Sequence, residues 1–152
     1  MFSKVTPRIQ SDKKGQMEVP MNTVLNAGFL YAGADEETDV LLIGFADDEF
    51  DPQEYILLQK TLDPGEEDAE SGFDKIHISY NNEAQSMYGG ILKLYFSASV
   101  TEITLTEEAA GQLNCTRKIV IKYDQEDADL PVFHKYLLQM FADDEEVLSL
   151  DL

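Results

Sequence analysis

The sequence predicts an α+β fold: a mainly antiparallel sheet of about six or seven strands, with a short helix and a C-terminal helix packed on one face. Three observations carry this. Apolar and polar residues alternate with a period of two around Lys75 to Tyr80, Val100 to Leu105 and Lys118 to Tyr123, the pattern of strands with one buried face. Helix-start signals stand at Thr106, followed by first-turn acids, and at Asp129, followed by an apolar stripe that suits a helix. Finally, a chain of 152 residues that is 43% hydrophobic and 27% charged is long and apolar enough to build a core in spite of a net charge of −19.

Residues 1–20 are polar, mildly basic and without periodicity, and are expected to form a flexible arm. Residues 21–142 are expected to form one domain, followed by an acidic tail over 143–152. Apolar stretches from Thr23 to Tyr31 and from Asp39 to Phe45 flank the polar break Gly33-Ala34-Asp35-Glu36-Glu37, which suggests a hairpin. Ala46 to Pro52 is an acidic turn with one aromatic, Phe50, held among carboxylates. The stretch to Leu62 is two-sided. Asp51, Pro52 and Glu54 resemble a helix start, and Tyr55, Leu58 and Leu62 fit helical spacing, whereas the short run from Tyr55 to Lys60 favours a buried strand. Pro64-Gly65 and Ser71-Gly72 make residues 63–72 an acidic loop.

Ile76 and Ile78 alternate with His77 and Ser79 in a half-buried strand, and Asn81 to Gly90 has the composition of a second loop closed by Tyr88-Gly89-Gly90. Strands come next from Ile91 to Phe96 and from Val100 to Leu105. Thr106 with Glu107 and Glu108 then opens a short helix that Asn114 is placed to end, since first-turn acids favour the positive end of the helix dipole. After the strand from Lys118 to Tyr123, Asp129 and Pro131 begin a helix whose stripe is Leu130, Phe133, Leu137, Leu138 and Phe141. Asp143 to Glu146 oppose the negative end of its dipole, so the helix stops before them.

The charge is uneven along the chain. Residues 1–34 hold two acids and four bases, residues 35–74 fifteen acids and one base, and residues 75–152 thirteen acids and six bases, for nets of +2, −14 and −7. Such a middle block works against the compact state through self-repulsion. It serves solubility, or it draws in a basic partner, because complementary fields raise association rates by up to ~10³-fold. Direct binding to nucleic acid or to anionic membranes is disfavoured on the same grounds. The chain has no run of about 18 apolar residues for a membrane span, and no apolar run succeeds Lys4, Arg8, Lys13 and Lys14 to make a signal peptide. A cytoplasmic location is expected, and the single Cys115 agrees with it.

Catalysis needs groups that converge, and this chain offers two histidines and one cysteine. Neither His77 nor His134 has metal-ligand spacing, Cys115 lacks a sequence-adjacent histidine, and no phosphate-cradling motif is present. His134 beside Phe133 suits the border of the core. The clusters Asp47-Asp48-Glu49-Phe50-Asp51 and Glu66-Glu67-Asp68-Ala69-Glu70 lack the glycine and distal glutamate of an EF-hand loop. The expectation is therefore a protein that is no enzyme, holds no metal or cofactor, and works by binding another protein. Its contact surface would be Asp47, Asp48, Glu49, Phe50, Asp51 and Tyr55, the loop acids Glu66, Glu67 and Asp68, and Tyr88. There the aromatics anchor and the acids steer.

The run Gly44-Phe45-Ala46-Asp47-Asp48-Glu49-Phe50-Asp51-Pro52-Gln53-Glu54-Tyr55-Ile56-Leu57-Leu58-Gln59-Lys60 resembles the immunity protein 10 family of bacterial toxin-immunity systems. The order of the later elements resembles it too: an acidic loop, the strand at Ile76 to Tyr80, the turn Tyr88-Gly89-Gly90-Ile91, the strands and short helix to Leu113, the strand at Lys118 to Tyr123 and the final helix. The similarity covers about residues 22–142. It implies a cytosolic bacterial protein that binds and neutralises a cognate toxin, possible targets including basic nucleases. An acidic regulatory or scaffold protein for some other basic partner is the alternative, and a small hydrolase using a carboxylate pair is a third.

Overall fold

The computed structural model describes residues 22–62 and 75–152. The arm expected over residues 1–20 and the loop over 63–72, with Glu66, Glu67 and Asp68, lie outside the described residues. The described residues form ten strands: β1 Thr23–Asn26, β2 Phe29–Asp35, β3 Val40–Ala46, β4 Tyr55–Thr61, β5 His77–Tyr80, β6 Asn82–Tyr88, β7 Ile91–Ser97, β8 Val100–Leu105, β9 Lys118–Lys122 and β10 Leu148–Asp151. Helix α1 spans Glu107–Leu113 and α2 spans Leu130–Met140.

The α+β class and the mainly antiparallel pairing are as the sequence predicts. The strands divide, however, into two five-stranded sheets, ordered β1-β9-β8-β7-β10 and β2-β3-β4-β5-β6. All neighbours are antiparallel except β1 with β9 and β10 with β7. Local alternation marks a strand but not the sheet to which it belongs. Phe45, Ile56, Leu58 and Ile78 of the second sheet, and Leu94, Phe96, Ile103, Ile119 and Ile121 of the first, are buried in one apolar cluster. Full burial of such side chains stabilises by about 1.5–3 kcal/mol each.

Helix α2 packs against β2 and β3. Its Phe133 ring lies 5.2 Å from that of Phe96 and 5.8 Å from that of Phe45, which joins the two sheets through one side chain. Asp129 caps the helix by accepting from the Val132 N–H, as Thr106 caps α1 by accepting from Ala109. Asn114 ends α1 in the left-handed region at φ 58°, a conformation asparagine tolerates. Lys60, the one base among residues 35–74, donates from Nζ to the Met140 carbonyl at 3.2 Å and pairs with Asp143 at 3.3 Å. It thereby offsets both the negative end of α2 and the acids just past it.

Four expectations need correction. Leu138 is half exposed, and Met140 is buried in its stead, whereas Phe133, Leu137 and Phe141 are in the core and Leu130 packs against it. His134 is exposed and does not sit at the border of the core. Residues 82–88, expected as loop, are strand β6. That edge strand is held to β5 by backbone hydrogen bonds and has few apolar residues, so no periodicity betrays it. Within the acidic tail expected over 143–152, Leu148–Asp151 is strand β10, which adds to the edge of the first sheet by parallel pairing with β7 and packs Leu148 and Leu150 against the core.

Candidate functional site

Strands β3 and β4 are apolar on both faces. Leu41, Ile43, Phe45, Ile56 and Leu58 point into the core, while Leu42, Gly44, Ala46, Tyr55 and Leu57 alternate with them onto the outer face of the second sheet. The register sets those outer residues in rows. Phe29, Ala46 and Tyr55 form one row, Tyr31, Gly44, Leu57, Ser79 and Ser86 the next, and Gly33, Leu42, Gln59, His77 and Tyr88 the third. No helix or strand among the described residues packs on this face.

Between β2 and β4 the face is hollowed into a groove of about 390 Å³ lined by Phe29, Tyr31, Leu42, Gly44, Tyr55 and Leu57, with Asp48, Glu49 and Pro52 at its rim. The hollow has a local cause. Gly44 lacks a side chain at the centre of its row, and the Tyr31 ring leans away over Gly33, where an added Cβ would meet the phenol oxygen at 2.6 Å. The lining is almost wholly carbon, with no set of converging polar groups that would orient a small substrate.

The acidic turn beside the groove is held by its own carboxylates. Asp47 Oδ1 accepts from the backbone N–H groups of Gln53 at 2.9 Å and Glu54 at 3.2 Å, and Asp48 Oδ2 accepts from Phe50 at 3.0 Å and Asp51 at 2.9 Å. Asp51 accepts from the Gln53 side chain at 3.2 Å. The turn is thus a preformed acidic edge, and Phe50 stands at its tip 88% exposed. Burial raises the Tyr55 phenol above its usual range with help from the charge of Glu83, and it lowers His77, whose ring lies 4.7 Å from that of Tyr88. Glu83 therefore adds to the acidic border at the far side of the face.

Of the residues singled out from sequence, Asp48, Glu49 and Tyr55 border one groove, and Asp47, Phe50 and Asp51 belong to the turn beside it. Asp47 is chiefly a brace for the turn, its carboxylate occupied by backbone donors. Tyr88 shares the face but lies on β6, two strands beyond β4 and so about 10 Å from it at ordinary strand spacing. Sequence reasoning missed Phe29, Tyr31, Leu42, Gly44 and Leu57. For Leu42 and Gly44 the signal was the apolar run Val40 to Ala46, since an antiparallel strand apolar on both faces needs a second cover.

Burial pushes the Cys115 thiol up to about 11, which keeps it protonated and unreactive. No helix of the described residues is long and apolar enough to cross a membrane. A family model described as Immunity protein 10 matches residues 26–131, which takes in the whole second sheet and the acidic turn. No curated protein matches the chain.

Proposed function

The chain belongs to the immunity protein 10 family, and on that basis we propose that it binds a cognate bacterial toxin domain in the cytoplasm and blocks it by contact, without turnover. The observation that carries the reading is the outer face of the second sheet, apolar in its middle and acidic at its rim. An exposed patch of that kind marks a binding surface. The contact set would comprise Asp48, Glu49, Phe50, Asp51 and Tyr55 with the groove, Asp47 bracing the turn, and Tyr88 at the far side. Glu66, Glu67 and Asp68, singled out by their charge in the sequence, complete the proposed set.

The net charge of −19 supports a basic toxin, a nuclease being the type case, because such enzymes carry positive surfaces for nucleic acid that an acidic inhibitor can cover. Mixing the purified chain with the toxin domain encoded beside its gene is expected to give a stable complex that abolishes toxin activity. Its association rate should fall roughly tenfold or more as salt rises from about 0.05 to 0.5 M. A toxin domain that neither binds nor loses activity would sink the reading.

A further inference from the structure

We infer that the groove over Gly44 seats a large apolar side chain of the toxin, aromatic or long aliphatic, presented beside a basic residue that the rim of Asp48 and Glu49 engages. This rests on the toxin-binding reading above and specifies its point of anchorage.

The two halves of the site demand such a partner together. Phe29, Tyr31, Leu42, Tyr55 and Leu57 line the groove with carbon, and Gly44 leaves its own place in that lining unfilled. Covering them gains only from an apolar insert, and a buried charge there would go unpaired. Directly at the edge, Asp48 is already fixed by two backbone donors, so a basic group arriving beside the insert meets a carboxylate with little ordering left to do. Charge complementarity thus sets the partner's chemistry: neighbouring apolar and basic residues on one toxin segment. The groove lies open along the sheet and carries no converging polar groups, which suits a protruding protein side chain better than an enclosed small molecule.

The halves also separate in kinetics. Acids on the rim act at a distance and set the association rate, whereas the filled groove acts only after contact and sets dissociation. The variant Gly44→Val tests the groove, with the melting temperature reading the fold. A Cβ at Gly44 meets Leu57 Cδ1 at 3.5 Å and the Ile56 carbonyl at 3.9 Å, which is ordinary contact, and valine suits a strand where glycine does not.

With the toxin domain encoded beside the gene as probe, Gly44→Val is expected to melt at or above the wild-type temperature and yet to dissociate about 30-fold faster, the effect of losing one hot-spot contact. The pair Glu49→Gln and Asp51→Asn should instead slow association about three- to tenfold and flatten its salt dependence, leaving dissociation within about twofold. A folded Gly44→Val that holds the toxin as tightly as the wild type overturns the inference while leaving the immunity reading in place. A wild-type chain that fails to bind the toxin removes both. One further outcome overturns the inference alone: sedimentation of the wild type as a dimer that Gly44→Val makes monomeric, which assigns the groove to a second copy.

Discussion

The two sheets feed one core, yet their outer faces are built on opposite principles. Across the first sheet runs the row Val24, Val120, Glu102, Tyr95 and Ser149. Around it Lys118 pairs with Glu102 at 2.9 Å, Tyr95 donates to Asp151 at 2.7 Å, and Lys93 and Lys122 stand in solvent. That face is finished: its charges are mixed in sign and partly matched within the chain. The corresponding row of the second sheet is Tyr31, Gly44, Leu57, Ser79 and Ser86, which carries no charge, and the one lysine of its strands, Lys60, turns to the end of α2 instead of toward that face. One sheet is thus decorated with lysines and the other is left without them beside an acidic turn, and the proposed contact lies on that second face.

Placing the same charge on both faces puts this contrast to its hardest test. Leu57→Asp is expected to weaken toxin binding by about 100-fold or more, as loss of a central apolar contact does. Val120→Asp, half-buried at the equivalent place on the first sheet, should change it less than about threefold. Equal losses in a calorimetric titration of the two variants would erase the distinction between the faces.

A smaller effect separates the shared core from both surfaces. The Tyr123 hydroxyl donates to the Ser97 carbonyl at 2.7 Å and lies 2.9 Å from the Thr101 hydroxyl, itself fully buried. Burial pushes that phenol up to about 12. Tyr123→Phe leaves buried polar partners unmatched and should lower stability in urea by about 1–3 kcal/mol, with toxin affinity unchanged.

On the finished face, Glu102→Gln removes the partner of an exposed lysine. The expected loss is no more than about 0.5 kcal/mol, shrinking further in about 0.5 M salt, and a loss above about 2 kcal/mol would mean that this face is held together by its charges. The smallest effect lies on the open face. His77 has its pKa lowered by burial, so the folded state holds fewer protons on this side chain than the unfolded state does. Its contribution is therefore full above about pH 6.5 and is lost as pH falls below that value. In a pH series of melting temperatures, His77→Gln should flatten a slight decline between about pH 7 and 5. Glu83 and the Tyr88 ring are the neighbours that modulate it.

Much of the fold was legible in the chain because it depends on local chemistry. The alternation of Ile103 and Leu105 with Glu102 and Thr104, the cap at Thr106, the left-handed stop at Asn114 and the start at Asp129 are each decided within a few residues. The choice of strand over helix for Tyr55–Thr61 was harder, and pairing with β3 and β5 on both sides settles it. The acidic half of the candidate site was visible for the same reason, since charge and an unpartnered phenylalanine can be counted directly. The apolar half was not, because Leu42 and Leu57 look like any core leucine until the register assigns them to the uncovered side.

The α+β class, most helix and strand starts, the family resemblance and the location of the acid could all be read along the chain, because composition, capping chemistry and short periodicities decide them. The division into two sheets, the completion of one of them by Leu148–Asp151 and the closure of α2 by Lys60 came only with the tertiary structure. So did the placing of the bare face over Gly44 beside the acidic turn. Those facts join residues as far apart as Leu94 and Leu148, or Lys60 and Met140, through pairings and contacts whose partners are chosen by the whole core. No window along the chain contains that choice.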